Sequence, residues 1–135
     1  MLAAASAVPV QALSGAVAVV DGDTIDVGGT RVRLHGIDAP EHDQTCGAQG
    51  WACGAEVTRV VRDAFGGRHA TCTPRDRDRY GRVVATCRIG VQDIGAALVE
   101  AGLAFAYRRY SVTYVPAETR ARDAGRGLHA TTLQR

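Results

Sequence analysis

The chain contains no lysine: all 16 of its basic residues are arginine. Arginine's planar fork can donate two parallel hydrogen bonds to a phosphate or carboxylate, which an ammonium cannot do. A genome with biased codons would give the same composition, so this feature alone assigns no function. A strong basic excess is also missing, since the net charge is only +2. Bulk composition therefore does not mark a nucleic-acid binder, and any phosphate recognition must rest on where individual arginines are placed. No segment approaches the ~20 apolar residues needed to span a bilayer, and no membrane association is expected. No internal repeat or low-complexity tract is visible. At 135 residues and 46% hydrophobic, the sequence fits one soluble globular domain.

Charge is absent from Met1 to Ala12, a stretch rich in Ala and Val. Val10-Gln11-Ala12 has the small-residue pattern that signal peptidase accepts, although the basic n-region is missing. We read residues 1–12 as the remnant of a secretory signal and 13–135 as the folded domain. A secreted or periplasmic bacterial protein is the expectation; the alternative is an unstructured start of a cytosolic one. The chain has four cysteines but lacks the short C-x₂₋₄-C spacing of structural zinc sites. A zinc site built from His42, Cys46 and Cys53 is the lesser alternative. Two disulfides are expected in a short exported chain, Cys46–Cys53 and Cys72–Cys87. Cys72 and Cys87 lie equally far from the middle of the Asp78–Gly81 region, so a hairpin there would set them opposite each other.

Periodicity supplies the elements. Residues 15–26 form a β-branched run broken by an Asp-Gly turn, and Gly28-Gly29 makes a second turn. From Thr30 to Ile37 the residues alternate, with Val32 and Leu34 on one face and Arg31, Arg33 and His35 on the other. That predicts a three-strand meander, ended at Pro40. A polar loop leads to a helix over Trp51–Phe65, stopped by Gly66-Gly67. Strands are predicted near Arg68–Thr73 and Arg82–Ile89, joined by the charged loop Pro74–Gly81. Asp93 reads as the N-cap of a second helix that ends at Gly102. A third helix starts near Pro116, with Ala117, Ala121, Ala124 and Leu128 on one stripe. Three strands, a helix, two strands and two helices is the order of a five-stranded OB-type barrel with three helices, an α+β fold rich in strand.

Three clusters carry chemistry: Asp21-Gly22-Asp23-Thr24, then Arg33-Leu34-His35-Gly36-Ile37-Asp38-Ala39-Pro40-Glu41, then Asp78-Arg79-Tyr80-Gly81-Arg82. Each alone is common. Together, in this order and on these strands and loops, they resemble the staphylococcal-nuclease (thermonuclease) family from about Val17 to Gly127. Phosphodiester hydrolysis builds negative charge on phosphoryl oxygens, so it needs fixed cations, a metal, and a group that handles water. The resemblance implies that Arg33 and Arg82 are catalytic and grip the phosphate. It implies that Glu41 acts on the attacking water, as general base or as an orienting group. It implies a Ca²⁺ site made by Asp23, Asp38 and the carbonyl of Ala39, where the family usually has threonine. Two carboxylates and a carbonyl are hard oxygen donors that suit this ion. Asp21 is read as a turn residue or an indirect support of that site.

For substrate binding, the resemblance points to Arg79 and Tyr80 beside the phosphate and to Tyr107 near a base. Either Arg109 or Tyr110 takes the second aromatic position. Arginines interleaved with tyrosines over 107–110 suit backbone charge and base stacking together. The implied activity is Ca²⁺-dependent cleavage of DNA and RNA with little sugar specificity, leaving 3′-phosphate ends. No obligate protein partner is implied, and a monomer is expected. Two features depart from the family. His129 follows Gly127-Leu128 where an aromatic is usual, and the two cysteine pairs resemble exported bacterial branches. The alternatives are a non-catalytic OB-fold nucleic-acid-binding module and an interaction domain of the Tudor-nuclease kind, which normally occurs in tandem.

Overall fold

A computed structural model describes residues 12–130. Alternating apolar and polar residues build the first three strands, β1 (Leu13–Asp21), β2 (Thr24–Val27) and β3 (Thr30–Leu34). They pair antiparallel in sequence order, with Val17 opposite Val27 and Ile25 opposite Val32. Gly28 and Gly29 make the β2–β3 turn with φ of 56° and 88°. Two positive φ values in a two-residue loop match the right-handed twist of the flanking strands, and glycine adopts them without steric cost. Ile37–Asp38 forms the short β4, which pairs with β8 (Phe105–Ala106) away from the meander.

After helix α1 (Cys53–Phe65), strands β5 (His69–Arg77) and β6 (Val83–Ile89) form a hairpin. β5 pairs with β1, and β6 returns to pair in parallel with β3, aligning Val32 with Val83 and Leu34 with Ala85. Strands β1, β2, β3, β5 and β6 therefore close into the expected five-stranded OB-type barrel. β7 (Gln92–Asp93) extends β6 and leads into α2 (Ile94–Glu100). α3 (Val115–Asp123) packs on α2. The interior holds Val17, Ile25, Val27, Val32, Leu34, Val57, Val61 and Leu98, all nearly inaccessible to solvent.

Both expected disulfides are present, Cys46–Cys53 and Cys72–Cys87. Cys72 lies directly opposite Cys87 across the β5–β6 hairpin, and both are fully buried. Asp93 caps α2 by accepting the Ala96 N–H at 3.1 Å. Its other carboxylate oxygen accepts the Tyr114 hydroxyl at 2.7 Å, which ties the start of α3 to the start of α2.

Some boundaries differ from the sequence expectation. α1 begins at Cys53, two residues after Trp51, because Cys46 and Trp51 pair through their backbones first. β5 runs on through Pro74 to Arg77, so much of the expected loop is strand. Its register shifts between Pro74 and Asp76, the kind of bulge at which proline is tolerated. α3 stops at Asp123, and Ala124 is exposed. Leu128 is buried from a separate 3₁₀ turn, Gly127–His129, so the expected stripe is two pieces. His129 is itself buried and meets Phe105 edge-on with ring centroids 5.4 Å apart, filling the place where an aromatic was expected. The signal-remnant reading falls on residues that lie, Ala12 excepted, outside those described.

Candidate active site

The alternation that turns Val32 and Leu34 into the barrel turns Arg33 outward, and the parallel β3–β6 pairing brings Arg33 level with Val84. Arg82 stands at the entrance to β6. Arg33 and Arg82 thus line one open cavity of about 470 Å³. Arg77 and Arg79 join them there, set against Asp76 and Asp78. The two inner arginines are held differently. Arg33 Nη1 donates to the carbonyls of Ile37 (3.1 Å) and Leu34 (3.4 Å) and lies 3.2 Å from Asp23 Oδ2. Arg82 is held through Nε by Asp78. Among the described residues, neither Nη1 nor Nη2 of Arg82 has a hydrogen-bond partner.

The carboxylates gather on the other side of Arg33. Asp23, in the β1–β2 turn, accepts the Ala39 N–H at 2.9 Å, which folds the segment after β4 back over the turn. Gly22 makes this fit possible, since a Cβ there would lie 2.7 Å from the Ala39 Cβ and 2.8 Å from a Val57 methyl. Asp38 Oδ1 lies 4.0 Å from Arg33 Nη2 and its side chain is 60% exposed. Burial, and then the neighbouring Asp23 charge, pushes the Asp38 carboxyl above the usual carboxylate range; Arg33 opposes this and Glu41 adds to it. Asp23 is on the meander, but Asp38 is held by the β4–β8 pair.

Glu41 is exposed, in a loop pinned at several points. Its carbonyl accepts the Gln44 N–H at 2.9 Å, and its own N–H donates to Gln44 Oε1 at 3.2 Å. Gly54, in the first turn of α1, donates to the Gln44 carbonyl at 3.0 Å. The approach is so close that a Cβ on Gly54 would sit 1.7 Å from the Glu41 carbonyl oxygen. The backbone N–H and Nδ1 of His42 both reach Asp21 Oδ1, at 2.9 and 3.2 Å. Asp21 is therefore a brace for the Glu41 segment. The Cys46–Cys53 bridge closes the loop onto α1.

The expected binding residues gather at the cavity. Arg79, Tyr80, Tyr107 and Tyr110 all line it. Of the two candidates for the second aromatic position, Tyr110 lines the cavity, and its ring meets that of Tyr107 edge-on at 4.8 Å. Tyr80 is 77% exposed, with the Arg79 guanidinium 5.6 Å from its ring centre. Tyr107 is fixed by its N–H to the Gly36 carbonyl (2.8 Å). The preceding residue, Ala106, donates to the buried Glu118 carboxylate (2.8 Å), which also takes Arg108 and Arg122. Sequence reasoning missed Glu118 and Gly54, and gave no role of their own to Asp78 and the cavity residue His35, which stand inside the quoted clusters. Glycine near a helix start, and an aspartate four residues before Arg82, are the signals that could have drawn attention.

The donor set was tested for a cation. Asp23, Asp38 and Glu41 are three carboxylates around the one guanidinium of Arg33; burial first, and the Asp23 charge second, raise the Asp38 carboxyl, and a bound cation would favour its charged form. The available donors are oxygens. Among the described residues no three His, Cys, Asp or Glu side chains form a ready metal cage. The set fits a hard ion that completes its shell with carbonyl, water and substrate. The zinc alternative fails, because Cys46 and Cys53 are bonded to each other.

Known proteins share this framework. The family model described as "Staphylococcal nuclease homologue" matches residues 31–131. The succinoglycan biosynthesis protein ExoI of Rhizobium meliloti (strain 1021) is 43% identical over 95 residues, covering 65% of this chain. The chain spans about half of that protein's length, 49%. An uncharacterized endonuclease of Escherichia coli is 34% identical over 119 residues, which is 83% of this chain and 73% of that protein. A micrococcal nuclease of Shigella flexneri is 35% identical over 107 residues, 70% of this chain and 58% of that protein. With most of the barrel, the Arg33-to-Glu41 segment and the Asp78-to-Arg82 turn inside the matched region, the chain belongs to the staphylococcal nuclease family.

Proposed function

We propose that the protein is a Ca²⁺-dependent nuclease that hydrolyses phosphodiester bonds of both DNA and RNA and leaves 3′-phosphate ends. The observation that carries this reading is the placement of Arg33 and Arg82 on one cavity, with the Asp23, Asp38 and Glu41 carboxylates on its Arg33 side. Water attacks phosphorus, the bond to the 5′ oxygen breaks, and that oxygen takes a proton from solvent and leaves as a hydroxyl. Arg82 offers its Nη pair to the phosphoryl oxygens. Arg33, already engaged with Asp23 and two carbonyls, sits between the phosphate and the carboxylates. Glu41 takes the proton of the attacking water or orients it. Asp23, Asp38 and the Ala39 carbonyl would hold Ca²⁺, which supplies charge to offset the developing negative charge on phosphate. Tyr107, Tyr110 and Tyr80 provide stacking faces that any base can use, and Arg79 provides backbone charge. Little sugar specificity follows from a site built around phosphate.

Two disulfides suit an oxidising compartment, and we place the protein outside the cytoplasm, acting as a monomer. Among the described residues no helix is long and apolar enough to cross a membrane.

The test is digestion of plasmid DNA and of RNA with calcium, magnesium and excess chelator, with end analysis of the products. Cleavage of both substrates with calcium, abolished by chelator, is expected. Arg82→Lys should lower kcat by roughly 10²–10³, the cost of losing one well-placed oxyanion donor. Glu41→Gln should lower kcat while leaving calcium dependence intact, and Asp23→Asn should raise the calcium requirement. Full activity in chelator overturns the metal assignment, and 5′-phosphate products overturn the assigned bond. Oligonucleotide binding without cleavage, unchanged in Glu41→Gln, would replace the enzyme with a binding module.

A further inference from the structure

The turn that delivers Arg82 is organised by a single side chain. Asp78 Oδ1 accepts the backbone N–H groups of Tyr80 and Arg82, both at 2.9 Å. Its Oδ2 accepts Arg82 Nε. The Asp78 backbone closes the same turn, donating to the Arg82 carbonyl at 3.0 Å and accepting from Gly81 at 2.9 Å. Arg77 adds a bond from Nη1 to the Gly81 carbonyl, 2.8 Å. Asp78 is largely covered, with 20% of its side chain exposed. Burial alone would raise its carboxyl, yet the Arg82 guanidinium and the two backbone N–H groups outweigh this and hold it below the usual carboxylate range. Asp78 is therefore an anion at the mouth of a cavity that must bind an anionic substrate.

An anion there opposes phosphate affinity, so it needs a compensating role, and the geometry supplies one. A guanidinium has three edges on which to pair. Asp78 takes only the Nε side; among the described residues Nη1 and Nη2 have no partner, and Arg82 lines the cavity. We propose that Asp78 is a positioning residue for Arg82: it fixes the rotation of the guanidinium so that its Nη pair meets the phosphoryl group, and it offsets part of the Arg82 charge before substrate arrives. Binding of the ground state is weakened, while the fork stays in place for the more highly charged transition state, which favours kcat over affinity. This rests on the nuclease reading above.

Asp78→Asn separates the two roles of the side chain. The asparagine oxygen can still accept the Tyr80 and Arg82 N–H groups, so the turn survives. The amide nitrogen cannot accept from Arg82 Nε. The measurements are kcat and KM for oligonucleotide cleavage, thermal stability, and affinity for a short single-stranded oligonucleotide in chelator, where nothing is cut. They are made on the parent protein, Asp78→Asn, Arg82→Ala and the double variant. Asp78→Asn should lower kcat tenfold or more, leave KM equal or lower, and strengthen binding in chelator. In the Arg82→Ala background the same substitution should change kcat by less than twofold, because Asp78 acts through Arg82. The proposal is overturned if Asp78→Asn matches the parent in kcat, or if it loses as much activity with Arg82 absent as with it present. A rise in KM with a large loss of stability would also overturn it, since that is the mark of a turn that has simply come apart. If the parent protein neither cuts nor binds, the nuclease reading falls and takes this proposal with it. If the parent cuts and Arg82→Ala does not, only the proposal is at stake.

Discussion

Gly54→Ala sets two effects against each other at the base of the Glu41 loop. Gly54 is the second residue of α1. Inside a helix alanine is better than glycine by about 1 kcal/mol, and part of that gain comes from restricting the unfolded chain. On propensity alone the substitution stabilises. The space argument points the other way. The new Cβ would lie 1.7 Å from the Glu41 carbonyl oxygen, 2.8 Å from its carbonyl carbon and 3.0 Å from the Gln44 nitrogen. All three atoms are backbone, so no rotamer change relieves the contact. Normal separation requires a shift of roughly 1.5–2 Å, given a carbon contact distance of about 3.5 Å. The helix is the stiffer partner, because Cys53, Val57 and Val61 are buried in the core, whereas residues 41–45 are exposed. The loop therefore moves, and Glu41 moves with it. Overpacking of this kind costs about 1–3 kcal/mol, which leaves a net loss of about 0–2 kcal/mol after the helix gain. For 135 residues that corresponds to a fall in Tm of at most roughly 7 °C. The kinetic loss should be far larger, since a 1 Å misplacement of a reacting group can cost on the order of 10²-fold. The assay is kcat, KM and calcium dependence beside a thermal melt. kcat should fall about 10²-fold, with KM and calcium dependence close to the parent, because Arg82 lies on another element and Asp38 and Ala39 are held in place by β8 and Asp23. A higher Tm with undiminished kcat would refute both the close approach and the role given to Glu41.

Loss of the Cys72–Cys87 disulfide should behave oppositely. Cys72→Ala with Cys87→Ala removes a bridge of sequence separation 15, worth about 3 kcal/mol in the chain-entropy model. Tm should fall by roughly 11 °C, with kcat at 25 °C within about twofold of the parent. An unchanged melt, or a lost rate in protein that is still folded, would count against this. Glu100 pairs with Arg120 and then Arg126, which hold its carboxyl down to about 2. A depressed folded-state value means the stabilisation is present above about 4.5 and is lost as pH falls through about 2. Glu100→Gln should therefore lower Tm at pH 7, the difference closing near pH 2 and shrinking in high salt because the group is exposed. A constant difference across that range would show that the charge is irrelevant.

The barrel was legible because its signals are local and periodic. Val32 and Leu34 alternate with Arg33, Gly28-Gly29 sits between two strands, and Cys72 and Cys87 are spaced symmetrically about a turn. The candidate site residues were read from the three clusters and from the 107–110 stretch, and the structure brings Arg33, Arg79, Tyr80, Arg82, Tyr107 and Tyr110 to one cavity. What escaped depends on contacts between distant segments. The Gly54 approach to Glu41 joins a helix to a loop 13 positions away, and no period records that. Glu118 reads as an ordinary helix-surface charge until β8 supplies an N–H that needs a partner. The helix stripe through Leu128 failed because the periodicity continues past Asp123, while Gly125 and Gly127 take left-handed φ values that α-helix cannot use. Pro74 misled in the other direction, since a bulge admits it to a strand.

The same alternation that builds the core also sets the phase of the face that carries Arg33, so the two cannot drift apart. Side chains along a strand alternate with a period of two, and a one-residue slip of β3 against β6 would exchange the faces. Arg33 would then enter the barrel where Val32 and Leu34 now pack, and burying an unpaired guanidinium costs several kcal/mol. The present register, Val32 with Val83 and Leu34 with Ala85, is thus enforced by burial, and the place of Arg33 follows from it. Arg82 enters by the neighbouring residue, Val83, on the other side of the same pairing. The β5–β6 hairpin, whose register is carried by its own ladder with Cys72 opposite Cys87, fixes where the Asp78–Arg82 turn emerges. Each arginine is therefore positioned by the pairing of its apolar strand neighbours. A core substitution that keeps volume should leave the rate alone, whereas one that changes the register of β3 against β6 should abolish activity before it unfolds the chain.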